Sequence, residues 1–366
     1  MIFQYSIYAY ALIFSFLLAV FLTEVVRRVA LRWEIYDHPG ERKVHREPIP
    51  LMGGVAIVTT FYCIILVHLA ITYFSERLGA GWLSENLGAI LGADHHVKLA
   101  GIFAGGALIF VLGLVDDLRN LSPWIKLVGQ ITAALVLVLS DVSLDLFVLK
   151  DYPLLPALAT IFWVVLMTNS LNFLDNMDGL CGGISVIAAF SFFLSIQPFH
   201  DELVRFLLMV FAGSVAGFLY HNLTPARIFM GDAGSMFNGY ILATVAVVGT
   251  FHIENTPSSR LSMAAPLLAL SVPLFDTITV VLIRLKNGQN IMLGDKRHFS
   301  HRLVELGMSN RQAVSFIFLV AGVVGSGGAL LHSADHMGTL IILAQTIGVF
   351  MLIVLLMRAH TRRDGD

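Results

Sequence analysis

The sequence predicts an all-α integral membrane protein of about eleven transmembrane helices. Three observations carry that expectation. Hydrophobic residues make up 57% of the 366 positions, charged residues only 13%, and the mean hydropathy is +0.80. A soluble chain carries roughly 25% charged residues, so the bilayer is the solvent implied here. The net charge of −2 argues against a nucleic-acid partner, because a phosphate-tracking surface needs a clear basic excess. Cys63 and Cys181 lie in apolar runs and form neither a disulfide framework nor a zinc spacing; both read as small core residues.

Apolar runs long enough to span a bilayer fall at about 5–26, 51–72, 99–115, 124–141, 154–172, 179–197, 203–220, 234–252, 263–284, 312–331 and 338–357. The first is read as a retained anchor, since Arg27, Arg28 and Arg32 follow the apolar stretch instead of preceding it. Ser122-Pro123 supplies a helix N-cap with proline at the first helical position, and Ser309 with Gln312 makes a capping box. Pro266 and Pro273 should kink the ninth span. Assigning loops alternately to the two sides places 18 of the 23 basic residues on one side. By the positive-inside rule that side is cytoplasmic, which puts the N-terminus outside and the C-terminus inside. No repeat, linker or low-complexity tract divides the chain. It reads as one polytopic domain over 1–366, with cytoplasmic loops at about 27–50, 116–123, 173–178, 221–233 and 285–311.

The polar residues concentrate on that one face. Asp116 and Asp117 are adjacent acids at a helix end, where desolvation and mutual repulsion call for a cation. A divalent metal or Lys126 would serve. Lys126 sits in a first helical turn, a position that disfavours a cation and favours an anionic partner such as phosphate; the alternative is a snorkelling topogenic charge. Asn169, Asn172, Asp175 and Asp178 recur every three residues, and oxygen ligands without sulfur or imidazole suit magnesium. Gly231 and Gly234 flank Asp232 ahead of a helix N-terminus, a backbone that can approach a ligand closely. Phe229 could stack on a base or face lipid. His298 and His301 lie among Lys296, Arg297 and Arg302, a set suited to phosphate rather than zinc. Lys43, His45 and the Gly53-Gly54 pair add to the same face. Asp276 lies deeper, about 12 Å above the end of its span, either as a functional group or in a buried pair with histidine or arginine.

Together LVDDLRNLSPWIK, NSLNFLDNMDG, FMGDAGS, HREPIPLMGG and DKRHFSHRL resemble the polyprenyl-phosphate N-acetylhexosamine-1-phosphate transferases, over residues about 42–307 and in that family's order. The resemblance implies a ten- or eleven-helix enzyme of the bacterial inner membrane with its active site on the cytoplasmic face. Such an enzyme uses magnesium, or manganese in its place, to move a sugar-1-phosphate from a UDP-sugar to polyprenyl phosphate with release of UMP. It further implies that Asp116 and Asp117 serve the lipid phosphate, and that Asn172 and Asp232 ligate the metal. Asp175, Asp178, Phe229 and Lys43 would hold the nucleotide, and Lys126, Arg297, His298, His301 and His45 the phosphates or the sugar. Asp116, Asp117 and Asp232 would be the catalytic set. The stretch Pro48-Ile-Pro50-Leu-Met-Gly53-Gly54 resembles the N-acetylglucosamine branch, which initiates cell-envelope glycopolymers, more than the muramoyl-pentapeptide branch. Ser300 stands where the N-acetylglucosamine branch has the second histidine of its motif, a departure that bears on the choice of sugar. A phospho-MurNAc-pentapeptide transferase and a secondary transporter are the alternatives; transporter sites lie near the midplane of two related halves, and no half-to-half similarity is visible. Related enzymes form dimers, and a homodimer is open, although no small-residue stripe marks an interface.

Overall fold

The computed structural model of the chain describes residues 2–37, 48–78, 95–144, 152, 154–196, 201–249, 263–290 and 297–363. These residues form α1 (Ile2–Arg32), β1 (Tyr36–Asp37), β2 (Ile49–Pro50), α2 (Gly53–Leu78), α3 (His96–Arg119), α4 (Pro123–Leu139), α5 (Leu154–Leu174), α6 (Leu180–Ile196), α7 (Glu202–Asn222), α8 (Gly231–Val248), α9 (Ala265–Ala269), α10 (Ser271–Lys286), α11 (Phe299–Glu305), α12 (Asn310–Leu330) and α13 (His336–Arg363). The described residues are all-α apart from one ribbon of two two-residue strands, and every apolar run of the sequence falls on helix. Seven of these helices, α1, α2, α3, α5, α7, α12 and α13, are long and apolar enough to cross a membrane by length and composition, and α4 and α6 are shorter apolar helices.

The ninth apolar run is interrupted, not merely kinked. Leu270 leaves helical geometry (φ −104°, ψ 17°) between α9 and α10. Pro273 has no N–H to donate to residue 269, so the ladder loses that rung; the bonds on either side, Leu270 N–H to Pro266 O and Leu274 N–H to Leu270 O, persist. Pro273 thereby falls in the first turn of α10, where a missing donor has no cost. The other local stops form as expected. Ser122 Oγ accepts from Ile125 N–H ahead of Pro123, and Ser309 and Gln312 close a reciprocal capping box.

At the centre stand α7 and α8. Most of the α7 span is buried, and α8 is buried continuously from Ala233 to Ala246, as befits helices that are apolar all round. Around α8 lie α2, α3, α5 and α6, while α1 and α2 pack on α7. Phe61, Phe211 and Phe237 meet edge to face in this core, and the buried Tyr240 hydroxyl of α8 donates to the Ile102 carbonyl of α3 at 3.1 Å. At the periphery, α13 is mostly exposed. Cys181 is buried, but Cys63 is exposed on α2, contrary to the expectation of two core residues. In a membrane helix apolarity satisfies lipid as well as core, so it does not report which way a residue faces.

The contact that matters most for the site is between α3 and α8. A Cβ on Gly113 of α3 would lie 2.5 Å from Ala233 Cα and 2.6 Å from the Asp232 carbonyl carbon. Both are backbone atoms that cannot swing aside. Gly113→Val should therefore destabilise the protein by about 1–3 kcal/mol, the usual cost of overpacking, read as a lower melting temperature in detergent; an unchanged melt would show that α3 and α8 can part without penalty.

Candidate active site

The site is built from helix ends. α3 stops at Asn120, which adopts the left-handed conformation (φ 49°) and donates its N–H to Asp116 O. The chain turns at once into α4 behind its Ser122 cap, which brings two consecutive helix ends together. Asp116 Oδ1 accepts from Leu121 N–H at 2.6 Å and locks this turn. Its Oδ2 accepts from Lys126 Nζ at 2.9 Å, and the same ammonium donates to Asp232 Oδ2 at 3.0 Å. Lys126 thus finds the anionic partner its helix position calls for, in two carboxylates of the protein from α3 and α8.

Asp117 is engaged differently. Oδ1 accepts from Asp232 N–H at 2.7 Å and Oδ2 from Ala233 N–H at 3.1 Å, so an acid on α3 caps the first turn of α8. Those N–H groups have no partner within their own helix, and the positive end of the helix dipole favours the carboxylate. The cap requires Gly231. Its φ is +74°, and a Cβ there would stand 2.5 Å from Asp117 Oδ2. The glycines around Asp232, read in the sequence as room for a ligand, are filled by the protein: Gly231 by the Asp117 carboxylate and Gly234 by the backbone of Gly54 on α2.

The end of α5 supplies the amides and further acids. Asn172 Nδ2 donates to Ser235 Oγ at 2.9 Å, one turn along α8 from Asp232. One turn deeper, Asn169 and Gln130 exchange hydrogen bonds at 2.7 and 3.3 Å, tying α5 to α4. Asn169 is therefore a strut below the site. Asp175 follows the helix end. Burial, and then the charges of Asp232, Asp117, Asp178 and Asp37, push its carboxyl up to about 8. Asp178 Oδ2 accepts from Ala226 N–H at 3.0 Å, Asn222 Oδ1 accepts from Gly179 N–H, and Asn222 Nδ2 donates to the Ile228 carbonyl. These bonds hold the 223–230 loop against the end of α5. Phe229, half-buried on that loop, donates its N–H to Pro50 O and accepts at its carbonyl from Gly53 N–H, extending the β1–β2 ribbon (Tyr36 opposite Pro50, Asp37 opposite Ile49).

The histidine motif lies beside this cluster. His298 Nδ1 is 2.8 Å from Asp276 Oδ2, and its ring is 6.0 Å from that of Phe173, the neighbour of Asn172, and 6.5 Å from that of His301. Asp276 is completely buried and so takes the paired one of its two expected roles. Ser300 Oγ donates to Asn176 Oδ1 at 2.6 Å, which links α11 to the segment carrying Asp175. Arg297 Nη2 donates to Gln289 Oε1. Lys43 and His45 lie outside the described residues. Ser235, Gln130, Asn176 and Asp37 were not singled out from the sequence. Gln130 alone carried a signal, as an amide in an apolar span one turn from Lys126.

Asp116 and Asp232 thus share one lysine, Asp117 binds the backbone of Asp232, and Asp175 feels the charges of Asp232 and Asp117. Among the described residues no three His, Cys, Asp or Glu side chains converge as a ready cation cage. The donor set nevertheless suits magnesium, which binds through one or two carboxylates and completes its shell with water and substrate phosphates. The upward push on Asp175 by its neighbours marks an excess of negative charge that such a cation would relieve.

Two outcomes follow. Asp117→Ala leaves the α8 amides without a cap and should lower stability by about 0.5–2 kcal/mol, measured by thermal melting. Asp175 holds its proton in the folded protein up to about 8, whereas the unfolded chain loses it near its ordinary value of about 3.9. The folded state binds the extra proton, so this group's contribution to stability falls as pH rises through that window. In metal-free buffer, the melting temperature of Asp175→Asn relative to the parent should climb from about pH 5 to about pH 8; a constant difference would remove Asp175 from the electrostatic cluster.

Comparison with known proteins identifies the family. The profile of glycosyl transferase family 4 matches residues 99–250. The chain is 31% identical over 355 residues to the "probable undecaprenyl-phosphate N-acetylglucosaminyl 1-phosphate transferase" of Bacillus subtilis, covering 94% of this chain and 90% of the relative. It is also 31% identical to the decaprenyl-phosphate N-acetylglucosaminephosphotransferase of Mycobacterium tuberculosis, covering 96% and 89%. To the undecaprenyl-phosphate alpha-N-acetylglucosaminyl 1-phosphate transferase of Yersinia pestis it is 25% identical, over 93% of this chain and 89% of the relative. With its clustered helix-end acids lying within or beside the matched segment, the chain belongs to the polyprenyl-phosphate N-acetylglucosaminyl 1-phosphate transferases of glycosyl transferase family 4.

Proposed function

We propose that the protein transfers N-acetylglucosamine-1-phosphate from its UDP-sugar to the phosphate of a polyprenyl lipid, releasing UMP and starting a cell-envelope glycopolymer. The observation that carries this is the Lys126 ammonium held between Asp116 and Asp232, at the meeting of the ends of α3, α4, α5 and α8. A prenyl chain lies in the bilayer while a nucleotide sugar is dissolved in water, so their phosphates can meet only at helix ends. The basic residues favour the cytoplasmic side for this face. The reading is of eleven passes in one domain of the bacterial inner membrane, α9 and α10 together making the ninth, with the N-terminus outside and the C-terminus inside.

The lipid phosphate is the nucleophile. Its second pKa is near 6, so near neutrality it is mostly a dianion and needs no strong general base. One of its oxygens attacks the β-phosphorus. The bond from that phosphorus to the bridging oxygen breaks, and UMP leaves with the electron pair as a dianion; charge and protons balance without an acid. What the protein must supply is alignment and neutralisation. Lys126 would pass from carboxylate to phosphate contact, and His298, Arg297 and His301 would face the anion, with Lys43 and His45 as further candidates for it. Asp175 and Phe229 would bound the nucleotide. Asp117, with both oxygens on α8 amides, holds Asp232 in place. Asp232 and Asn172 would hold magnesium, which supplies charge neutralisation at the diphosphate.

Purified protein given UDP-N-acetylglucosamine, magnesium and undecaprenyl phosphate should release UMP and form a lipid-linked sugar. No UMP with any UDP-N-acetylhexosamine would sink the assignment. Asp232→Asn should lower kcat at least about 100-fold, the scale on which loss of a charge-stabilising group acts, with the fold retained; near-normal turnover would remove Asp232 from the reaction centre.

A further inference from the structure

Asp276 is the most deeply buried acid of the described chain and touches none of the carboxylate cluster. It lies on α10 with no exposure, and both of its oxygens are used. Oδ2 meets His298 Nδ1 at 2.8 Å, and Oδ1 accepts from Phe299 N–H at 2.6 Å. One carboxylate therefore grips two consecutive residues, capping α11 from another helix and holding the imidazole by one edge. Next to it Thr277 donates to Ser170 Oγ on α5 at 2.8 Å, and Ser300 donates to Asn176. Hydrogen bonds thus bind α10 and α11 to the helix whose end carries Asn172 and Asp175.

Burying a carboxylate against a histidine gives stability no better than a well-packed apolar pair would. What it does provide is direction. A carboxylate accepts and cannot donate while ionised, so the nitrogen facing Asp276 must carry the proton. The opposite nitrogen, Nε2, is then turned away from Asp276. We propose that Asp276 is a positioning residue: it keeps a proton on His298 Nδ1 and orients Nε2 toward the anionic groups of the substrate, where the ring, protonated on both nitrogens, donates from Nε2 to a phosphate oxygen. This rests on the transfer reaction proposed above and adds to it the group that orients its histidine. The role parallels that of carboxylates that orient functional histidines elsewhere. No proton transfer is required, since the reaction already balances.

The test uses Asp276→Asn. Its Oδ1 can still accept from Phe299 N–H, so α11 keeps its cap, but its NH₂ now faces His298 Nδ1 and forces the proton to Nε2. Nitrogen NMR of histidine-labelled protein in bilayers, with the His298 signal identified by its loss in His298→Gln, reads the protonated nitrogen directly. The parent should show a protonated Nδ1 and the Asp276→Asn variant a bare one. A bare Nδ1 in the parent overturns the proposal without recourse to any variant. In turnover, Asp276→Asn should lower kcat about 10–100-fold, the range for loss of an orienting partner, while KM for the UDP-sugar changes little. In a His298→Gln background the same substitution should cost nothing further. An equal loss in both backgrounds would mean that Asp276 acts on the fold alone, and would overturn the proposal. The NMR readout needs no turnover, so a protein inactive with every donor would count against the proposed reaction while leaving the pair to be judged by its own signal.

Discussion

Negative charge at the edge of a bilayer has to be met by donors, and the architecture of this protein's polar face follows from that need. Four aspartates come together at the ends of α3, α5 and α8. Each is met differently: Asp116 by Lys126 and a turn amide, Asp117 by the first amides of α8, Asp232 by Lys126. Asp175 is left with a carboxyl pushed toward its neutral form. Because the partners come from different helices, satisfying the acids also fixes how α3, α4, α5 and α8 meet. The compensation is incomplete: one lysine meets two of the four carboxylates.

Much of this was legible in the sequence, for reasons that can be named. Composition fixes the solvent, and apolar runs of bilayer length fix the helices, because both act through local content. Ser122-Pro123 and the Ser309–Gln312 box mark helix starts, since caps are local hydrogen bonds. The need of Asp116 for a cation, and the nearness of Lys126, could be inferred from adjacent like charges and a short loop.

Long-range partnerships were not legible. Nothing local distinguishes Asp117, which caps a helix 115 residues further on, from Asp116, which meets a lysine ten residues away. The two look alike in sequence and differ only because successive residues on a helix point about 100° apart, one toward α4 and the other toward α8. The glycines beside Asp232 pointed to close approach, but not to whether a ligand or the protein itself makes it. Cys63 shows the same blindness: lipid and core are equally apolar, so sequence gives the helix but not its outward face. α11 escaped notice because its cap comes from Asp276 on another helix.

The loop bearing Phe229 is tied to the ribbon and to α2 through main-chain groups, Phe229 N–H to Pro50 O and Gly53 N–H to Phe229 O. Main-chain bonds are indifferent to which side chain stands at each position, provided it is not proline on a donating residue. Side chains on this strip can therefore drift over generations without moving the backbone that carries them.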